Sequence, residues 1–546
     1  MNDGTAMAVA RQRQLDWLLD EVLAGGGARA RPVATSPRWR WFAAAAALVA
    51  VAALAFGLAR DGEPDAGATP PATPQKDAPW TECHGPAGLD AVPGDTTSLR
   101  GFDFDDAACA RLARLTKLER LDLSGMDVDA RGVARSLPIT DAGVRHLGAL
   151  TGLRWLSLGQ CEHVQGGSLA VLEALPRLEH LDLHSTRVDS AAVERLARLP
   201  NLRWLSLSYC RRFHGRSLAA VASLPGLTHL ELRGCTTLAA ADVLPLAKAR
   251  SLRSLDLRDC QGRYRGQTGG FDEPGVVAPD AEPREDGVGI TDAVVEALAC
   301  LPLETLLLGG CDSLTAAIGS SLAKMTTLRT LDLSELSHVE DRLLTDLPAG
   351  LTSLSLRDTP SVQPSHLPPL PNLRTLDVTG ASVSATDVAR LFAGRAIENL
   401  CLGGSDRSPG LARGEVIVET LQADVADVLA AQPTLQRLSL RICSWLDAAV
   451  MAKLAALPLQ SLELDRCRAD PRGLGALAKN TTLQTLRLRW CSDFDPDGLQ
   501  ELASLPLGEL DLTGTRGADD RVRDLAARAW RGCLVTLGNS SRFRTP

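Results

Sequence analysis

The pattern L-x-x-L-x-L recurs fifteen times, starting at Leu118, Leu153, Leu178, Leu202, Leu227, Leu252, Leu303, Leu328, Leu351, Leu373, Ile397 (with Ile in the first position), Leu435, Leu459, Leu483 and Leu507, mostly at intervals of 22 to 25 residues. A copy that short cannot bury its own apolar face, so the chain must stack copy on copy instead of closing one globule. Within a copy, x-L-x-L alternates as a strand does, with the leucines turned inward. Between copies, segments such as "SAAVERLARLP" at 190–200 and "GITDAVVEALACLP" at 289–302 space apolar residues by three and four, as an amphipathic helix does. Asp141, Thr291 and Asp292 stand where helix N-caps belong.

The stretches "LPITDAGVRHLGALTGLRWLSLGQC" (137–161) and "GVGITDAVVEALACLPLETLLLGGC" (287–311) resemble the cysteine-containing, ribonuclease-inhibitor-like class of leucine-rich repeats. "LGALAKNTTLQTLRL" (474–488) is similar to the short bacterial variant of that class. The resemblance implies an α/β horseshoe over residues 96–546, with a parallel sheet on the concave face and helices on the convex face. It also implies a protein that works by binding other proteins. "LRGFDF" at 99–104 reads as an N-terminal capping turn, and "RGCLVTLGN" at 531–539 as the other cap. Gly/Pro- and charge-rich insertions interrupt the series near 261–289 and 403–415.

Three further zones precede the repeats. Residues 1–40 form a leader with a short amphipathic helix carrying Leu15, Leu18, Leu19 and Leu23. Residues 41–59, "WFAAAAALVAVAALAFGLA", are uncharged and about long enough to cross a hydrocarbon core of roughly 30 Å. Arginines before this run and Asp61, Glu63 and Asp65 after it predict a cytoplasmic N-terminus and an extracytoplasmic repeat domain. The competing readings are the apolar core of a signal peptide and a buried alanine-rich helix. Residues 60–95 read as a disordered Pro/Ala-rich linker.

Eight cysteines, namely Cys161, Cys210, Cys235, Cys260, Cys311, Cys443, Cys467 and Cys491, occupy one repeat position and read as buried thiols bonding neighbouring carbonyls. Cys83 and Cys109 lie outside that series and are the disulfide candidates.

No nucleophile elbow, metalloprotease helix, phosphate loop or C-x-x-C pair is present. The chain therefore reads as a non-enzyme without cofactor or metal. A net charge of -8 argues against nucleic acid. The outward strand positions supply the candidate binding face: Trp155, His180, Asp182, His184, Trp204, His229, Glu231 and Arg233. Tryptophans there point to a protein partner, with a glycan as the second ligand class. The rival reading of these rings is a packed ladder without a ligand. A metal ion on His180, Asp182 and His184 is a further reading, though alternate strand positions spread over roughly 13 Å. The recurring acids Asp122, Asp182, Asp256, Asp332, Asp377 and Asp511 are expected to be solvated. Other roles that the chain admits are an envelope scaffold without a discrete ligand, a secreted effector-like repeat protein, and chemistry grafted into the first insertion.

Overall fold

The computed structural model describes residues 80–545, with breaks at 129–133, 214–216, 261–288, 405–422, 469–470, 493–495, 516–517, 519 and 539–540. The leader, the 41–59 segment and almost all of both insertions lie outside the described residues. Among the described residues no helix is long and apolar enough to cross a membrane.

Among the described residues nineteen strands form one sheet, and every neighbouring pair is parallel except the last, where Ser541–Arg544 returns antiparallel to Leu534–Gly538. The register never slips: Leu156, Leu181, Leu205, Leu230, Leu255, Leu306 and Leu331 stand side by side on successive strands. Equal repeat positions therefore form straight rows across the sheet. The inner leucines build one continuous buried core. Short α and 3-10 segments such as Ser190–Leu196 and Leu169–Ala174 close each coil on the other side.

The sheet begins at Thr81–His84, which pairs with Ser98–Phe102. This corrects both the linker boundary at residue 95 and the cap at Leu99. One more coil precedes it, built on buried Cys83, Leu89 and Val92 without the leucine spelling. A hairpin of Met126–Val128 with Ala134–Ser136 fills the long first interval.

Two features pin many of the turns. Cysteine Sγ donates to the carbonyl of the preceding coil's inner leucine: Cys161 to Leu123 (3.4 Å), Cys210 to Leu183 (3.1 Å), Cys260 to Leu232 (3.0 Å) and Cys467 to Leu440 (3.2 Å). Thr359 makes the same bond through its hydroxyl to Leu333 (2.9 Å). The residue just before this position is left-handed in coil after coil, including Gln160 (φ 67°), Tyr209 (φ 59°), Ile442 (φ 54°) and Trp490 (φ 54°). Gly234 and Gly514 hold this same position in the coils that follow those of Tyr209 and Trp490, and an added Cβ would strike that aromatic ring at 2.5 and 2.2 Å. Cys83 and Cys109 are separate free thiols and form no disulfide. Burial pushes Cys109 up to about 12.

On the convex side Thr140, not Asp141, is the helix N-cap, accepting from the Ala142 amide at 3.1 Å. Asp141 reaches instead into the next coil, where its carboxylate accepts from the amides of Gln165, Gly166 and Gly167 and the Ser168 hydroxyl. Asp106 treats Thr140 and Gly143 the same way, and Asp292 treats Thr315 so.

Candidate functional site: the concave face

Because the register is in phase, the eight candidate residues fall into three rows. Trp155, His180, Trp204 and His229 form the first, Asp182 and Glu231 belong to the second, and His184 and Arg233 to the third. In the first row the half-buried rings stack. The Trp155 and His180 centroids are 4.9 Å apart at 15°, and those of His180 and Trp204 are 3.8 Å apart at 8°. His229 follows, with Nδ1 2.9 Å from the Thr228 hydroxyl. Burial pushes His180 down to about 3, so the stack is uncharged at neutral pH.

Composition hid the start of this row. Trp80, the first described residue, lies edge-on to Trp155 at 5.3 Å, with the Arg120 guanidinium 4.1 Å and that of Arg100 5.1 Å from its ring centroid. Arg100 also bonds Asp122 at 2.9 Å. A tryptophan at the end of a Pro/Ala-rich stretch carries no repeat signature, so only its place after Pro79 could have marked it.

The second row is not solvated, contrary to expectation. Asp122, Asp182, Asp256 and Asp511 are buried. Each accepts from the amide two residues on, as do Asp332 and Asp377: Ser124, His184, Arg258, Ser334, Thr379 and Thr513 donate at 2.9 to 3.0 Å. The aspartates thus cap strand ends that would otherwise leave a donor unpaired. Asp182 also accepts from the Ser157 hydroxyl and the His184 ring, both at 2.8 Å. His180, Asp182 and His184 therefore do not converge on a metal: one ring is in the stack and the other turns back onto the carboxylate. Among the described residues no group of His, Cys, Asp and Glu is placed to hold a metal ion.

Glu231 stands between Ser206 and Asp256 in this row. Burial first, then the charges of Asp256 and Asp182, push it up to about 7 against the Ser206 hydroxyl and Arg258. A raised folded-state pKa means stability is full below about 4.5 and falls as pH rises through 7. Glu231→Gln is expected to leave stability at pH 5 unchanged and to raise it at pH 8 by on the order of 2 kcal/mol. Melting both proteins at the two pH values checks this, and parallel pH dependence would refute it.

The far end of the face is chemically closed. Arg489 pairs with Asp511 (2.6 Å) and Glu463 (3.2 Å), Arg487 with Glu509 (3.0 Å), and Arg441 with Asp465 (3.0 Å). Charged strands there alternate in sign and neutralise one another. Arg233 likewise pairs with Asp259 at 3.0 Å, its guanidinium 5.9 Å from the Tyr209 ring.

The sequence model of the leucine-rich repeat family matches residues 479–503. No curated protein sequence matches the chain. Among solved structures, an internalin (inlF) of Listeria monocytogenes is similar at 18% identity, covering 74% of this chain and 82% of that one, with a TM-score of 0.29. The TLR13–ssRNA13 complex gives 17% identity, 79% and 72% coverage and 0.39. The Rad7–Elc1 complex of yeast gives 19%, 66% and 79%, and 0.40. At those values the fold rests on the chain's own sheet and spacing. The described residues between 80 and 545 build a solenoid of leucine-rich repeats, one of which, at 479–503, matches the family model of that repeat.

Proposed function

We propose that this chain is a membrane-anchored interaction protein that binds a protein partner on the first third of its concave face. The observation that carries the reading is the contrast along that face. One end presents the rims of the Trp155–His180–Trp204 stack, while the other spends its charges on itself. Ring rims are the positive edges of the aromatic quadrupole, and Trp and Arg dominate interface hot spots. A sugar would need ring faces, and stacking already uses those, so the same geometry favours a protein over a glycan. The stacking also supports a second reading, a scaffold in which the rings only brace adjacent coils. The uncharged run at 41–59, with arginines before it and acids after it, supports anchoring with the repeats outside the cytoplasm.

The test is a photo-crosslinking phenylalanine analogue placed at Thr228 or at Ser461 of the full chain in intact cells. A protein adduct at Thr228 and none at Ser461 is expected. Equal adducts, or none at Thr228, would sink the reading. Protease added outside the same cells should degrade the repeats if the topology is right.

A further inference from the structure

We propose that Cys443 and Cys467 are an oxidation site that closes to a disulfide, stapling the coil of Arg437–Arg441 to that of Ser461–Asp465. The two strands pair in register, with Arg441 opposite Asp465, and the Arg468 amide donates to the Cys443 carbonyl at 2.8 Å. The cysteines are therefore neighbours in adjacent coils. Each follows a left-handed residue, Ile442 (φ 54°) and Arg466 (φ 53°), so the two turns have one shape. Neighbouring strands about 4.8 Å apart lie inside the Cα range that a disulfide requires.

Spacing alone singles out no pair, because other adjacent thiols of the column share it. The difference lies in where the sulfurs point. Cys210, Cys235, Cys260 and Cys311 each donate to a leucine carbonyl of the coil before, at 3.0 to 3.1 Å, and Cys491 does so at 3.3 Å. Cys443 departs from that rule. It donates to the Arg441 carbonyl of its own coil at 3.5 Å, and its thiol hydrogen-bonds that of Cys467. The coil before it, Asn399–Gly403, is the one from which the second insertion departs. A sulfur held only within its own coil gives up little when it turns to bond another.

The oxidant is a small hydroperoxide. The Cys443 thiolate attacks the peroxide oxygen, forming a sulfenic acid and expelling hydroxide, which takes up the thiol's proton to leave as water. The Cys467 sulfur then attacks the sulfenic sulfur, and its proton leaves with the hydroxyl as a second water. Two thiols thus lose two electrons and one peroxide is reduced. The Cys443 thiol and then burial push Cys467 well above its ordinary value, which leaves the first attack to Cys443.

The test treats the reduced, folded full chain with hydrogen peroxide at doses that oxidise the exposed Cys300. Remaining thiols are alkylated, and a tryptic digest is mapped by mass spectrometry. Arg441, Lys453, Arg466 and Arg468 place the two cysteines in separate peptides. The Cys443–Cys467 link should be roughly tenfold more abundant than Cys467–Cys491, which has the same spacing but sulfurs aimed at carbonyls. Cys467→Ser should leave a sulfenic acid at Cys443 that dimedone traps. No Cys443–Cys467 link once Cys300 is oxidised, or as much Cys467–Cys491 link, overturns the proposal. The mapping needs only the wild type, so it stands even if the serine variant fails to fold.

Discussion

Asp182→Ala is expected to cost about 3 kcal/mol at neutral pH, because it strands the His184 amide in a buried site and frees the Ser157 hydroxyl. Burial alone would push this carboxyl up. The facing charge of His184, its ring and amide hydrogen bonds, and the Ser157 hydroxyl overcome that and hold it at about 2. A depressed acid contributes stability that is complete above the unfolded value near 4 and disappears as pH falls through 2. The wild type should therefore lose on the order of 2 kcal/mol between pH 4 and pH 2 at this site alone. Asp182→Asn should lose that part of the acid dependence while keeping one acceptor. Coils in a solenoid contact only their neighbours, so the damage stays local. Hydrogen exchange is the right readout: amides of the strands Trp155–Ser157 and Trp204–Ser206 should lose protection in Asp182→Ala. Unchanged protection there would mean the carboxylate is replaceable by water.

Asp141→Ala attacks the other side of the same coils and is expected to cost about 2 to 3 kcal/mol. It removes the acceptor for three backbone amides and one hydroxyl of the next coil. Its own helix keeps its cap at Thr140, so the loss falls on coupling between coils and not on helix formation. Urea unfolding should then split into two phases, the coils before residue 141 parting from those after it, because a weakened interface breaks the cooperativity of a stacked array. A single transition shifted bodily to lower urea would show that the contact is local to one turn.

The repeat period made most of the architecture legible, since leucine and cysteine recur wherever the core and the turn demand them. What escaped is instructive residue by residue. Alternation correctly put Asp182 and Asp256 on the concave face but could not show that neighbouring coils bury them there. Asp141 looked like an N-cap because its partner amides lie a coil away, where local spacing has no reach. The left-handed position hid because Gln160, Ser185, Tyr209 and Ile442 share no side-chain chemistry; only backbone geometry unites them. Trp155 and Trp204 stand out from the repeat in the sequence, since no other copy carries tryptophan at that position. The order Trp155, His180, Trp204 and His229 on successive repeats reads as a ring ladder in the sequence itself, and the register stacks the first three.

The thiol-to-carbonyl bond has a consequence for how such a chain changes length. Most coils bring their own donor, though Leu336 and Ala381 hold the position without one, and the acceptor is main chain, which any preceding coil supplies whatever its side chains. A duplicated or deleted coil therefore meets a joint that already fits, with no second residue to co-adapt. Thr359 shows that even the donor tolerates replacement by a hydroxyl. Coil number can drift by whole units at little cost, while the rows of the concave face, whose residues must match their neighbours, resist the same edits.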